Sequence, residues 1–317
     1  MRAVFFLFTL SFLFGFTQIS KASEIEKQTY IYAVYGKDTL YLDKYEMSEP
    51  VSQQPRTTVV FAFGGGFRGG DRARSSYEPY FHYLANKGYV VISTDYRTTL
   101  SNISSVKIEK PQDYIPLVQN AIQTAVSDFY CATSFILQHK SEWNINPEMI
   151  IASGSSAGAI TASQAVYGLC NGFVNEAVLP KDFKYAGLIS FAGAICSPGP
   201  LKWASKPAPC LLFHGDADSI VPFKEAVIGQ IGLYGSSTID VSLDSLKVPH
   251  QFFQFRNCSH EIADTPMQTH LPEIGRFISR FIEKKDSVYQ HIEEVNPGKE
   301  DVFKDFKLED YLKANVN

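Results

Sequence analysis

The sequence predicts an α/β fold with a mostly parallel central sheet and helices on both faces, on three observations. Short apolar runs recur along the chain at Thr58–Phe63, Tyr89–Ser93, Met149–Ala152, Ala186–Phe191, Cys210–Phe213 and Gln251–Phe255. Helical stretches such as Tyr77–Lys87 and Leu117–His139 separate them, the alternation that builds parallel sheets from strand–helix–strand units. One run, Met149–Ala152, passes through Ser153-Gly154-Ser155-Ser156-Ala157-Gly158 directly into a small-residue helix start.

The remaining elements follow in order. An opening hairpin pairs Thr29–Val34 with Thr39–Tyr45 around Gly36-Lys37-Asp38. Thr98–Asp113, Gly168–Asp182 and Ile231–Val248 interrupt the strand–helix rhythm and read as small lid insertions. A helix is expected to begin near Pro222. Motifs spread over most of the 317 residues favour one domain, residues 23–285, and the 14% of aromatic residues can fill one large core. From Asp286 the chain turns polar and charged, so 286–317 reads as a loose tail or surface helix.

Gly154-Ser155-Ser156-Ala157-Gly158 has the Gly-x-Ser-x-Gly form of a nucleophile elbow, a turn so sharp that Ser156 projects above the sheet. Glycines flank the serine because side chains there would collide across the turn. The following helix aims unpaired N–H groups at the place where an oxyanion would form. A serine hydroxyl needs a base, and the base needs an orienting carboxylate. Downstream, the Cys210–Phe213 strand runs into His214-Gly215-Asp216-Ala217-Asp218, with two candidate carboxylates. The Gln251–Phe255 strand is followed closely by His260. His250 precedes its strand, at the wrong end of the sheet, His270 falls in a helical stretch, and His214 reads as a packed strand-end residue. Ser155 would point sideways. Gly64-Gly65-Gly66 lacks the Gly-Lys-Ser/Thr of a phosphate loop and does not match Gly-x-Gly-x-x-Gly.

These motifs resemble those of the α/β-hydrolase superfamily, in particular serine esterases of the carboxylesterase and hormone-sensitive-lipase-like kind, over roughly residues 57–284. The family's acid loop, His-Gly-x-x-Asp-x-x-Val-Pro, maps onto His214 through Pro222 and selects Asp218 over Asp216. Its His-Gly-Gly-Gly oxyanion loop corresponds to Phe63-Gly64-Gly65-Gly66, with phenylalanine in place of histidine. Asp95-Tyr96-Arg97, and the helix from Asp128 to His139 leading through Asn146-Pro147 into the elbow, also resemble family segments. The resemblance implies a triad of Ser156, Asp218 and His260, and an oxyanion hole built from Gly65 or Gly66 N–H with Ala157 N–H. It implies an acyl-enzyme route to carboxylic ester hydrolysis that needs no metal or organic cofactor. The substrate is expected to be a small-molecule or polysaccharide-linked ester with a short acyl group, because no long apolar lid helix is evident. Phe67, Tyr96 and Trp203 are candidate pocket residues, and Arg68, Arg72 and Arg74 form either a solvated face or pairs with Asp71. The competing classes are a serine peptidase of the same superfamily and a binding module without catalysis.

Met1-Arg2-Ala3, an apolar run from Val4 to Phe16 and Ser20-Lys21-Ala22 describe a signal peptide over residues 1–22, hence a secreted or periplasmic protein. The run is short of the ~20 residues that span a bilayer. Removing it takes Arg2 and Lys21 from the 29 basic residues against 33 acidic ones, which leaves a net charge near −6. That balance disfavours nucleic acid and anionic membranes as partners. Oligomeric state is not legible. Among the five cysteines, an odd count in an oxidising compartment leaves at least one unpaired within the chain, and a bridge at Cys258 could brace the His260 loop. Cys131 and Cys210 read as buried apolar residues.

Overall fold

A computed structural model describes residues 24–49, 52–173, 178–295 and 306–316. The expected signal segment lies outside the described residues. Twelve strands occur among them: β1 (Ile25–Tyr35), β2 (Asp38–Met47), β3 (Arg56–Ala62), β4 (Val90–Thr94), β5 (Ile145–Ser155), β6 (Gly187–Phe191), β7 (Ala194–Pro198), β8 (Cys210–Gly215), β9 (Glu225–Ile228), β10 (Ile231–Gly235), β11 (His250–Arg256) and β12 (Tyr289–Val295). The helices are α1 (Glu78–Asn86), α2 (Pro111–Gln138), α3 (Ala157–Asn171), α4 (Ser236–Leu246), α5 (Pro266–Thr269), α6 (Leu271–Phe277) and α7 (Leu308–Val316).

Nine strands form the central sheet in the order β1-β2-β4-β3-β5-β6-β8-β11-β12. It is parallel from β4 to β12, with the antiparallel hairpin β1–β2 added at one edge. Every residue of β4, β6 and β8 is buried, as strands covered on both faces require. Helices α2 and α3 pack together, with α3 over β3, β5 and β6, while α1 packs with α5 and α6 and over β2 and β4. Aromatic rings fill much of the core. Phe213 stacks on Phe191 and Phe253 at centroid distances of 5.2 and 5.1 Å, just before the acid loop begins.

Three expectations need correction. No helix begins near Pro222: Glu225–Ile228 and Ile231–Gly235 pair as antiparallel strands around Gly229-Gln230. With β7 they form a separate three-stranded sheet. The exposed–half-buried alternation along β9 is a strand period that was read as a helix start. Of 286–317, expected as a loose tail or surface helix, the described residues hold β12, a parallel edge strand on β11, while α7 is a helix, as one of the two readings had it, and packs on β9. An edge strand covered on one side tolerates the charges that disguised it. Among the described residues no cysteine forms a disulfide, so no bridge at Cys258 braces the histidine loop. No helix among the described residues is long and apolar enough to cross a membrane.

Truncating Phe213 would leave a void between two stacked rings at the root of the acid loop. Phe213→Ala is expected to lower unfolding free energy by about 3–5 kcal/mol, measured by urea denaturation against the wild type.

Candidate active site

Three loops at the carboxyl edge of the sheet each present one reactive group. Ser156 follows β5 and adopts φ 52° and ψ −120°, a strained backbone for a residue with a side chain. Its neighbours show what holds it there. A Cβ on Gly158 would lie 2.0 Å from the Ala62 carbonyl oxygen, and one on Gly154 would lie 2.2 Å from that of Gly158. The elbow can therefore close against the end of β3 only with glycine at both places. Ser156 N–H donates to Phe191 O at 2.8 Å, which ties the turn to β6 as well.

The Ser156 hydroxyl lies 2.8 Å from His260 Nε2, and His260 Nδ1 lies 2.7 Å from Asp218 Oδ2. The other carboxylate oxygen, Oδ1, accepts the N–H groups of Ile220 at 2.8 Å and Val221 at 3.0 Å. Asp218 is fully buried, and His214 Nε2 approaches its Oδ2 at 3.3 Å. Burial works to raise the Asp218 pKa. The hydrogen bonds from His214 and His260 outweigh it and hold the carboxyl well below the ordinary carboxylate range. A permanently ionised acceptor fixes the imidazole with its proton on Nδ1, leaving Nε2 to accept from serine.

The rejected candidates have structural work. Asp216 accepts Asn257 N–H at 2.7 Å and the Gln254 side-chain amide at 3.2 Å, so it pins the histidine loop to the acid loop. Gly215 permits that contact, since a Cβ there would lie 2.2 Å from Cys258 O. Ser155 donates to Asp264. His250 begins β11 and meets Asp240 at 2.9 Å, at the end of the strand away from the site. His270 pairs with Glu294 across the core rings. His214 meets Ser236 Oγ at 2.8 Å.

Two tyrosines hold the oxyanion loop in the absence of the histidine: Tyr77, which the sequence did not mark, and Tyr96, which it marked only as a pocket residue. Gly64 N–H donates to Tyr77 Oη at 3.0 Å, and Tyr96 Oη donates to Phe63 O at 2.8 Å. The Tyr96 ring also stacks on Phe63 at 4.4 Å. Gly64 N–H is thus occupied. The amides of Gly65, Gly66 and Ala157 make no hydrogen bond among the described residues. Gly66, Ala157 and Ser156 together line one cavity of about 150 Å³ with mainly apolar walls. Phe67 lines it too, but Tyr96 is buried behind the loop, and Trp203 packs on Tyr167 with its indole N–H on Ser242. The arginines pair elsewhere than Asp71: Arg72 with Asp43 and Asp95, Arg74 with Asp264, and Arg68 with the Asn315 carbonyl.

The BD-FAE family model, which describes a family of α/β-hydrolases, matches residues 42–195, a span that holds the oxyanion loop and the elbow but stops before the acid and histidine. Among solved structures the chain is similar to an esterase from the planctomycete Thermogutta terrifontis. With propionate bound, that esterase superposes with a TM-score of 0.57 at 21% identity, over 82% of this chain and 94% of the other. Its apo form gives 0.57 at 22% identity, over 82% and 94% of the two chains. The form phosphorylated by paraoxon gives 0.56 at 21%, over 80% and 94%. The chain has the α/β-hydrolase fold. No curated protein matches it. The strand order of this fold delivers serine, acid and histidine from the loops after β5, β8 and β11, three strands of the parallel part of the sheet.

Three outcomes follow. Gly158→Ala forces a methyl group into backbone that cannot yield, so it should cost at least about 1–3 kcal/mol and abolish reactivity of Ser156 even where the protein folds; thermal melting and serine labelling read the two effects. A carboxyl whose folded-state pKa is depressed contributes stability above its unfolded value of about 3.9 and loses it only as pH falls through the lowered one. Asp218 therefore stays charged through the mildly acidic range, and the kcat/KM profile should show no inflection from it above about pH 3.9. Asp218→Asn should lower kcat by about 10⁴-fold without unfolding the protein, measured by steady-state kinetics and circular dichroism.

Proposed function

We propose that this α/β-hydrolase is a secreted or periplasmic serine esterase that cleaves short-chain or carbohydrate-linked acyl groups through an acyl-enzyme. The observation that carries the reading is the unbroken relay from Ser156 through His260 to buried Asp218, opening on an apolar cavity beside three free amides. Ser156 Oγ attacks the acyl carbon while His260 Nε2 takes its proton. The oxyanion is held by Ala157 N–H and by Gly65 or Gly66 N–H. His260 returns the proton to the alkoxy oxygen, the carbon–oxygen bond breaks and the alcohol leaves. Water then attacks the acyl-enzyme with His260 as base, and the acid departs as the serine hydroxyl is restored.

The acyl and alcohol sides can be told apart. The imidazole must stand next to the leaving oxygen. The cavity is lined by Gly66, Ser156 and Ala157 but not by His260, so it suits the acyl group. His260 keeps 24% of its side chain exposed, which leaves the alcohol side open to a group as large as a polysaccharide. The similar esterase, seen with propionate and with butyrate and phosphorylated by paraoxon, is consistent with short acyl groups and a reactive serine here. Secretion rests on the basic start, apolar run and small-residue exit of residues 1–22.

A fluorophosphonate should add one phosphonyl group to the peptide containing Ser156, seen by mass spectrometry and lost in Ser156→Ala and His260→Ala. The labelled enzyme's wild-type parent should hydrolyse p-nitrophenyl butyrate and leave a peptide p-nitroanilide uncut. A folded protein that takes no label overturns the hydrolase reading, and faster cleavage of the anilide makes it a peptidase.

A further inference from the structure

We infer that the C-terminal helix α7 is the outer wall of the acyl pocket and sets the length of acyl chain the enzyme accepts; this rests on the hydrolase reading above. The family-model match ends at residue 195, more than a hundred residues before this helix, and the helix carries none of the triad. Yet four of its residues, Leu308, Tyr311, Leu312 and Asn315, line the same cavity as Ser156. Their spacing of three, four and seven residues is one face of an α-helix, and Glu309, Lys313 and Ala314 on the other side are exposed. A nine-residue helix is marginal alone in water, so docking is what holds α7 in shape.

The docking is specific. Asn315 Nδ2 donates to Ile220 O at 2.9 Å, two residues beyond Asp218. The Asn315 carbonyl accepts from the Arg68 guanidinium, two residues beyond Gly66, and from Tyr114 Oη at 3.3 Å. One residue of α7 thus bridges the acid loop and the oxyanion loop, on the acyl side of the serine. Leu308 and Leu312 supply apolar lining to the cavity that Ser156 also lines. A space of about 150 Å³ between apolar walls is the size that takes a benzene ring, which corresponds to an acyl group of about six carbons. The acyl carbon has to sit at Ser156, so the chain grows toward α7, and its side chains stop it.

The test uses the full chain and p-nitrophenyl acetate, butyrate, hexanoate and octanoate, scored as the ratio of kcat/KM for each longer ester to that for acetate. Fluorophosphonate labelling of Ser156 runs in parallel on every protein. A methylene in an apolar pocket is worth about 10- to 200-fold in discrimination. Leu312→Ala and Leu308→Ala should therefore raise the octanoate-to-acetate ratio by at least about 10-fold, and Leu312→Trp should lower the hexanoate-to-acetate ratio by a similar factor. Asn315→Ala, which removes the side-chain bond to Ile220 O while the main-chain bonds to Arg68 and Tyr114 remain, should loosen the wall and flatten the profile across all four esters. Ratios that stay at wild-type values in variants still labelled at Ser156 overturn the role of α7 and leave the hydrolase reading standing. A wild-type protein that takes no label overturns both. The two alanine variants remove rather than add atoms and report even if the tryptophan variant does not fold.

Discussion

The site depends on one steric condition: loops from three different strands must touch backbone to backbone at the carboxyl edge of the sheet. Ser156 can hold its strained turn because Gly158 lies flat against Ala62 at the end of β3. His260 can reach Asp218 because Gly215 lies flat against Cys258. Hydrogen bonds then lock what the contacts allow. Asp216 holds the histidine loop, Phe191 O holds the elbow, and the two tyrosine hydroxyls hold the oxyanion loop. A relay of two bonds at 2.8 and 2.7 Å needs tolerances finer than a side-chain rotamer, and backbone contact supplies them.

Much of this was legible in the sequence where chemistry and spacing coincide. Gly-x-Ser-x-Gly after an apolar strand announced the elbow, and His260 was singled out by its place just past a strand end. Asp218 was separated from Asp216 only by resemblance in spacing; the physical difference, one carboxylate facing an imidazole and the other a backbone amide, exists only in three dimensions. The exchange of histidine for Phe63 was visible, but not its remedy. Tyr77 and Tyr96 lie 13 and 33 residues from their partners, and nothing local marks a phenol as a fastener.

What stayed hidden did so for reasons of context. The β9–β10 hairpin lies in a second, smaller sheet outside the strand–helix rhythm, so its short alternation was taken for a helix start. β12 is a largely exposed edge strand with little apolar alternation, and α7 follows a polar stretch that lowers the average hydropathy around it. Its face of Leu308, Tyr311, Leu312 and Asn315 has helical spacing, but composition over the whole segment conceals it.

The replacement of an imidazole by phenols at the oxyanion loop changes how the protein meets acid. Burial pushes the Tyr96 hydroxyl well above its ordinary range, so this fastener keeps its proton and its hydrogen bond in mildly acidic and mildly alkaline water alike. A histidine in the same role would gain a charge near neutrality and pull at the loop. Here the tie between Tyr96 and the Phe63 carbonyl holds the loop in one shape across that range.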